Sequence, residues 1–405
     1  MPEFPSGESS ATIRMYGANW CPDCRRAKAF FGEQRVHYDY IDVDRHPEAI
    51  ADVERINNGM RSIPTIIFPD GSILVEPSNT ELARKLGLTI EASRDFYDVI
   101  IVGSGPAGLT AGIYTSREGL STLVLEKSGI GGQVGLTLRM DNFPGFADGI
   151  SGAEFADRLR RQAQRFGVEI VQAQTVTGLG EDGAYRLVRT SSGGEYCGGA
   201  VIVATGSHYR RLGVPGESRL IGINIHFCAT CDAPFYQGKN VYVIGGGNSG
   251  FQEAMHICQF ADHVTILEYE PEPRASLILQ EKIHDCPTIS VMTNQDVREF
   301  LVSEKRTLAG VRIVDRATGD ERIEHPDGAF ILIGMDPNSE AFRDWVKTDR
   351  WGFILTGDNL ETSLPGVFAA GDVRSGSTKQ AAAAAGEGAT VALMVRQYLA
   401  RLKTL

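Results

Sequence analysis

No run of apolar residues approaches the ~18 needed to cross a bilayer. The opening MPEFPSGESS has neither a basic stretch nor an apolar core of the kind that directs secretion. Membrane partners are therefore not expected. Basic residues are outnumbered, 40 to 51, for a net charge of −11. With no Lys/Arg cluster, an electrostatic footprint for nucleic acid is missing too. Cysteine is scarce: 7 in 405 residues, as two CxxC pairs and the singles Cys197, Cys258 and Cys286. That is no disulfide framework, so a reducing, cytoplasmic setting is expected, in which paired cysteines read as catalytic. The singles read as small buried hydrophobes. Zinc ribbons space their knuckles by roughly 15–20 residues, whereas 203 residues separate Cys24 from Cys228. No metal is expected.

What is present centres on Cys228-Ala229-Thr230-Cys231-Asp232, a dithiol followed by a carboxylate. At a helix start, first-turn N–H groups stabilise a thiolate, and such a pair cycles between disulfide and dithiol. A nucleotide fingerprint stands on either side of it. Upstream, the apolar strand Tyr97–Val102 runs into Gly103, Gly105, Pro106, Ala107 and Gly108. A helix and a second strand then end at Glu126, 23 residues beyond Gly103. The glycines let backbone approach a pyrophosphate at the helix amino end, and the carboxylate is placed for a ribose hydroxyl. Downstream, Asn240–Ile244 leads to Gly245, Gly247, Asn248 and Gly250, and Glu268 again follows after 23 residues. Two complete sites imply two nucleotides handled together. Near the carboxyl end, a strand finishes in Gly371-Asp372 ahead of an Ala-rich helix from about Lys379, which Glu387 makes too polar for a membrane.

Residues 1–10 read as a disordered tail. Over 11–88 the order is strand, CxxC helix, strand, polar helix, the segment Ser62-Ile63-Pro64-Thr65, a hairpin and a helix. This stretch resembles glutaredoxin and thioredoxin. The resemblance implies that Cys21 is an exposed nucleophile, that Cys24 resolves the mixed disulfide, and that Pro64 forms a cis bond beside them. Arg25 and Arg26 add positive potential at that helix start, and Trp20 is either a core aromatic or part of a docking face. The paired glycine and acidic motif of glutathione-binding relatives is missing at Asp70-Gly71-Ser72, which brings the domain closer to mycoredoxins and thioredoxin-like glutaredoxins. The aperiodic run Leu88–Asp95, with 89–95 as the linker proper, reaches at most ~28 Å. Because it enters at the start of a strand, whereas nucleotides bind beyond carboxyl ends, the small domain is expected on the side away from the flavin.

Residues 96–405 resemble the bacterial thioredoxin reductases. The resemblance rests on the first fingerprint, Gly131-Gly132-Gln133, Asn142-Phe143-Pro144-Gly145, Ala204-Thr205-Gly206, the dithiol and Gly371-Asp372. It implies an α/β chain: a thioredoxin-fold domain, then an FAD domain split into 96–209 and 329–405, with a nicotinamide-nucleotide domain at 210–328 inserted between. It assigns Gly103, Gly105, Pro106, Ala107, Gly108, Glu126, Gly132, Gln133, Asn142, Ala204, Gly206, Gly371, Asp372, Lys379, Gln380 and Ala381 to FAD. Cys231 is expected nearest the flavin, with Asp232 as acid and base for the leaving thiol, its pKa of ~3.9 raised by burial; capping its helix is Asp232's other available role. Ala233 replaces a glycine common in the family.

NADPH-using members carry His-Arg-Arg after the second strand of the insert, where this chain has Glu268-Tyr269-Glu270 and keeps only Arg274. A carboxylate accepts from a free 2′-hydroxyl and repels a phosphate, which favours NADH over NADPH. Gly245, Gly247, Asn248, Gly250, Glu268 and Arg274 form that site. The insert is similar to the flavoprotein subunit of alkyl hydroperoxide reductase. The expected activity is an NADH-dependent flavoprotein disulfide reductase, passing electrons from NADH to FAD, to Cys228/Cys231, to Cys21/Cys24 and on to an external disulfide. The acceptor is a thioredoxin, a peroxiredoxin or a low-molecular-weight thiol disulfide, and a homodimer is expected. Alternatives are a peroxiredoxin-feeding subunit and a flavin-dependent dithiol oxidase.

Overall fold

The computed structural model describes residues 12–137 and 139–402, apart from the side chains at 136, 230 and 231. The tail expected over 1–10 lies outside the described residues. The first body comprises β1 (Ile13–Gly17), α1 (Pro22–Glu33), β2 (Tyr38–Asp42), α2 (Ala49–Ile56), β3 (Thr65–Ile67), β4 (Ile73–Val75) and α3 (Asn79–Lys85). Its sheet has the order β2-β1-β3-β4, with β1 parallel to β2 and antiparallel to β3. Cys21 is the N-cap of α1 and Pro22 opens its first turn, where a missing N–H leaves no bond unmade. Cys24, Ala27, Phe30 and Phe31 lie on one buried stripe that packs into a core with Met15, Ile66 and Leu82. Each phenylalanine contributes roughly 1.5–3 kcal/mol by leaving water.

The second body contains β5 (Phe96–Val102), α4 (Pro106–Arg117), β6 (Thr122–Leu125), α5 (Gly152–Arg165), β7 (Glu169–Val171), β8 (Val176–Asp182), β9 (Tyr185–Thr190) and β10 (Glu195–Val203). β5 lies parallel between β6 and β10, and its apolar run from Val99 to Val102 is buried throughout, as a strand covered on both faces requires. After β11 (Ser207–Tyr209) the chain leaves for the third body: α6 (Glu217–Leu220), β12 (Ile225–His226), α7 (Ala229–Asp232), β13 (Asn240–Ile244), α8 (Asn248–Ile257), β14 (His263–Leu267), α9 (Leu277–His284), β15 (Ile289–Met292), β16 (Gln295–Val302), β17 (Leu308–Asp315), β18 (Glu321–Glu324) and β19 (Gly328–Ile331). Here the sheets are β12-β19-β13-β14-β15 and β16-β17-β18.

The expected return to the FAD domain at 329 falls inside β19, which pairs with the insert's own β12 and β13. The chain crosses back only at β20 (Met335–Pro337), antiparallel to β11. An apolar strand buried on both faces suits either sheet, and only long-range pairing decides which. β21 (Val367–Ala369) then joins β10, and α10 (Ala381–Leu402) packs on α4. That contact is close because residue 388 is glycine: a β-carbon there would sit 2.3 Å from the Ala107 carbonyl oxygen. Among the described residues no helix is long and apolar enough to cross a membrane.

The small domain is not on the side expected. At the carboxyl end of β7, the Thr89 carbonyl accepts from Gln172 N and the Ile90 carbonyl from Gln174 Nε2. At the amino end of the same strand, Ser93 N and Oγ donate to Glu169. The linker thus doubles back along this edge and delivers the small domain to the carboxyl ends of the strands. Composition alone does not separate such a pinned segment from a solvated tether. The two bodies meet where Gly129 N donates to the Glu33 carbonyl (2.6 Å), Gln34 Nε2 to the Lys127 carbonyl (2.9 Å), and Arg35 to the carbonyls of Ile130 and Gly132. It is the carboxyl end of α1 that docks. Cys21 is at the other end, a 12-residue helix or about 18 Å away.

Glu169 is the peg of this arrangement, since it also accepts from Tyr97 Oη. Burial opposes its ionisation, but the hydrogen bonds from Ser93 and Tyr97 outweigh burial and hold its carboxyl below its ordinary 4.5. A depressed folded value means that the stabilisation is present above about pH 4.5 and fades as pH falls through the folded pKa. Glu169→Ala should speed proteolytic cleavage within 88–95 roughly tenfold, for about 1–2 kcal/mol of lost pinning. Wild-type linker cleavage should rise in the same way below that pH. Limited proteolysis read by mass spectrometry checks both, and equal rates in variant and wild type would refute the pinning.

Candidate active site

Both fingerprints fold in the same way. After β5, Gly103 has φ 103°, and a β-carbon on it would lie 2.4 Å from the Ala204 carbonyl oxygen; after β13, Gly245 has φ 120° and the Leu332 carbonyl at 2.5 Å. No other residue fits either turn. Glu126 accepts from Ser104 N (2.7 Å), Ser104 Oγ (2.6 Å) and Ser128 N (2.7 Å). Glu268 accepts from Gly246 N (2.6 Å) and Glu270 N (2.8 Å). Each carboxylate is therefore held buried against its own glycine turn. Gly108 and Gly250 stack behind these turns, where a β-carbon would strike the carbonyls of Gly103 and Gly245.

A cavity of about 1580 Å³ unites much of the expected site. Gly103, Gly105, Pro106, Ala107, Glu126, Gly132 and Gln133 line it from the first fingerprint and the following loop. Ala204, Gly206, Gly371, Asp372, Lys379 and Ala381 line it from the split domain, and Cys228 and Asp232 from the insert. Asn142 Nδ2 meets Gln380 Oε1 at 3.3 Å, away from the lining. The second fingerprint, with Gly247, Asn248, Glu268 and Arg274, does not border this cavity. A β-carbon on Gly105, the N-cap of α4, would meet nothing within 4 Å, so open space lies where a pyrophosphate would approach. Burial pushes the Asp372 carboxyl up and the Lys379 ammonium down, while Lys379 Nζ donates to the Asp372 carbonyl at 2.6 Å.

Cys228 is disulfide-bonded and caps the short α7. The Cys231 side chain, expected nearest the flavin, lies outside the described residues. Asp232 Oδ2 is 3.3 Å from His226 Nδ1, and His226 Nε2 is 2.8 Å from the Tyr236 hydroxyl. This Tyr–His–Asp chain was not found from the sequence, although a histidine two positions before the dithiol was a usable signal. Phe227 stacks on Tyr209 of β11 with centroids 5.1 Å apart, which ties the dithiol segment to the strand that leaves the second body. Two further residues were missed because only tertiary structure places them. Glu387 on α10 accepts from Gly371 N (2.7 Å) and pairs with Arg374 (2.6 Å), fixing the Gly-Asp turn. Arg316 stacks over the Tyr269 ring at 3.7 Å, while Arg274 pairs with Glu270 at 2.7 Å.

In the small domain Cys21 Sγ accepts from Cys24 N at 3.2 Å, and both thiols are free. Ile63–Pro64 is cis. Thr65 Oγ1, bonded to Asn57 and to the Ser62 carbonyl, holds that loop in place. Cys21, expected to be exposed, is only 5% so, because the loop carbonyl of Ile63 closes over it at 3.5 Å. Trp20 is 65% exposed and bonds Asp44, so it is not a core aromatic. Arg26 is engaged by Asp23 and the Pro77 carbonyl, and Arg25 by the Asn19 carbonyl, which reduces the potential expected of them at the thiol.

The family model for pyridine nucleotide-disulphide oxidoreductases matches residues 97–388. The chain belongs to this family. Among these oxidoreductases, the thioredoxin reductase of Bacillus subtilis strain 168 is 39% identical over 307 residues, 76% of this chain and 96% of that protein. A bifunctional thioredoxin reductase/thioredoxin of Mycobacterium leprae is 38% identical over 316 residues, 78% and 68% of the two chains. The thioredoxin reductase of Streptococcus pyogenes MGAS5005 superposes with a TM-score of 0.72 at 36% identity, covering 76% of this chain and 100% of that one. That of Lactococcus lactis in its FR conformation gives 0.53 at 34% identity, covering 75% and 99%. The glutaredoxin model matches residues 13–73. The chain is thus a thioredoxin-reductase-like disulfide oxidoreductase with a glutaredoxin domain, and the family implies a flavin and a pyridine nucleotide. The first glycine turn, its open approach at Gly105 and the charged groups of the cavity fit a dinucleotide.

Burial, with the neighbouring Cys21 thiol adding to it, pushes the Cys24 thiol up to about 12. Iodoacetamide at pH 8 should therefore alkylate Cys21 in the reduced, folded protein and leave Cys24 untouched over the same period. Peptide mapping reads the outcome, and comparable labelling of both would contradict the division of roles between them.

Proposed function

We propose that this chain is an NADH-dependent disulfide reductase that passes reducing equivalents from Cys228/Cys231 to the glutaredoxin-like Cys21/Cys24 and on to an external disulfide. The observation that carries the reading is the cavity shared by the first fingerprint and Cys228, beside a second, separate and complete fingerprint. A bound flavin supplies two-electron transfer between a nicotinamide and a disulfide. The chain's own part is to hold that flavin through Gly103, Gly105, Glu126, Asp372 and their neighbours, and to present the dithiol to it. In the handover a thiolate of the 228/231 pair attacks the Cys21–Cys24 disulfide, and the sulfur displaced is reprotonated. Closure of the second disulfide leaves the carrier reduced. Asp232, in contact with His226, is the group placed to exchange that proton. A dithiol oxidase is disfavoured by the second fingerprint, whose glycines and carboxylate repeat the geometry of the first. A peroxiredoxin remains one acceptor class, beside thioredoxin and small thiol disulfides.

Glu268 supports NADH, since it is buried against Gly246 where a 2′-phosphate would meet a fixed negative charge. Reduction of the flavin by NADH should have a kcat/KM at least roughly tenfold that with NADPH, about 1.4 kcal/mol. The double change Glu268→Arg and Tyr269→Arg should shift preference toward NADPH. Stopped-flow flavin bleaching measures both, and equal efficiency in the wild type would sink the NADH reading.

The small domain docks by the carboxyl end of α1 with Cys21 about 18 Å off at the other end, so we place the handover either after undocking or between the subunits of a homodimer. Cys21→Ser and Cys228→Ser chains, each inactive toward the external disulfide, are mixed and allowed to exchange subunits. Recovered activity that persists on dilution supports transfer between subunits; no recovery after verified exchange assigns transfer to one chain.

A further inference from the structure

Arg35 belongs to the glutaredoxin domain yet is half-buried against the reductase. It follows α1 with φ 56°, and its guanidinium enters the loop after β6, donating to the Ile130 carbonyl (2.8 Å) and the Gly132 carbonyl. The loop is shaped around it: a β-carbon on Gly135 would lie 2.1 Å from Nη1, and one on Gly129 would touch its stem at 3.1 Å. Arg35 also borders the cavity that Gly103, Gly105 and Glu126 line. Gly132, whose carbonyl it holds, is in contact range of Gly105, since a β-carbon on it would sit 3.4 Å from the Gly105 α-carbon.

What this cation lacks is an anion. Among the described residues no carboxylate comes within ion-pair distance of it, and both its acceptors are neutral carbonyls. Glu126 is the carboxylate whose field reaches it, but Glu126 is already held by Ser104 and Ser128. Burial pushes the guanidinium pKa down, with Glu126 partly offsetting it. A charge withdrawn from water and left without a counter-charge is destabilising. Across the same cavity stands Gly105 at the amino end of α4, which favours a diphosphate.

We propose that Arg35 is part of the flavin nucleotide's binding site, contributed by the glutaredoxin domain as counter-charge to the diphosphate, so that carrier docking and flavin binding strengthen each other. The coupling is reciprocal by linkage. The proposal rests on the flavin reading of the cavity, which FAD binding to the wild type tests separately.

The full-length chain, stripped of flavin, is titrated with FAD, ADP and adenosine as wild type, R35A, R35Q and Q34A. R35A should lose about tenfold in affinity for FAD and for ADP while keeping its affinity for adenosine, which has no phosphate. Q34A, which removes a docking contact outside the cavity and keeps the charge, should lose less affinity for FAD and ADP than R35A and none for adenosine. FAD should slow proteolysis of residues 89–95 in the wild type and not in R35A. Unchanged FAD affinity in R35A would overturn the proposal, as would an equal loss for adenosine, which would make Arg35 a support for the loop alone. Should R35A fail to fold, R35Q keeps N–H donors for the two carbonyls without the charge and reads the same comparison. A wild type that binds no FAD overturns the flavin reading itself.

Discussion

Among the described residues the chain passes between the two sheets that carry the fingerprints at only two places, and the two passages are hydrogen-bonded to one another. Ser207–Tyr209 lies antiparallel to Met335–Pro337, and Arg210 pairs with Asp336 (2.7 Å) beside them. The dithiol and the second fingerprint both hang from this ribbon. The dithiol segment follows one strand, the sheet carrying the second fingerprint closes just before the other, and Tyr209 on the ribbon stacks on Phe227 next to Cys228. A two-stranded connection resists stretching but bends readily. It therefore suits the proposed function, in which a disulfide and a nicotinamide are brought in turn toward one cavity. Here the disulfide is toward the cavity and the second fingerprint is away from it.

Much of this was legible in the sequence because it depends on short-range constraints. A glycine turn with its carboxylate 23 residues on is one strand-turn-helix-strand unit, so both units and both glutamates could be read from local pattern, though the glutamates' bonds to their own turns could not. The CxxC helix was equally local, and the cis-Pro followed from the resemblance of that domain. What escaped depends on pairings distant in sequence. β19 was assigned to the wrong sheet because a fully buried apolar strand carries no mark of its partner. The linker's direction is set by Glu169, 76 positions from Ser93. Cys21 is covered by a carbonyl 42 positions away. His226, Glu387, Arg316 and Arg35 act through neighbours that only folding brings close.

The two glutamates also show how one backbone device is adapted to two tasks. Each holds the N–H of its own glycine turn, so the carboxylate is fixed before any ribose arrives and little ordering remains for binding to provide. The surroundings then differ. Glu126 has serines on either side and the carrier's guanidinium nearby, whereas Glu268 is flanked by Tyr269 and Glu270, with Arg274 and Arg316 spent on them. Arginines sit at the second site too, but they are engaged by local acceptors and aromatic stacking.

The helix that begins at Cys21 and ends beside Arg35 has its two ends in different settings, one at the thiol pair under the Ile63 carbonyl and one docked on the second body. That makes its length a gauge. A residue added or removed within Pro22–Glu33 would turn the thiol by about 100° and shift it by about 1.5 Å relative to the anchored end. Any insertion or deletion in this helix therefore re-aims Cys21 relative to the body on which the domain docks.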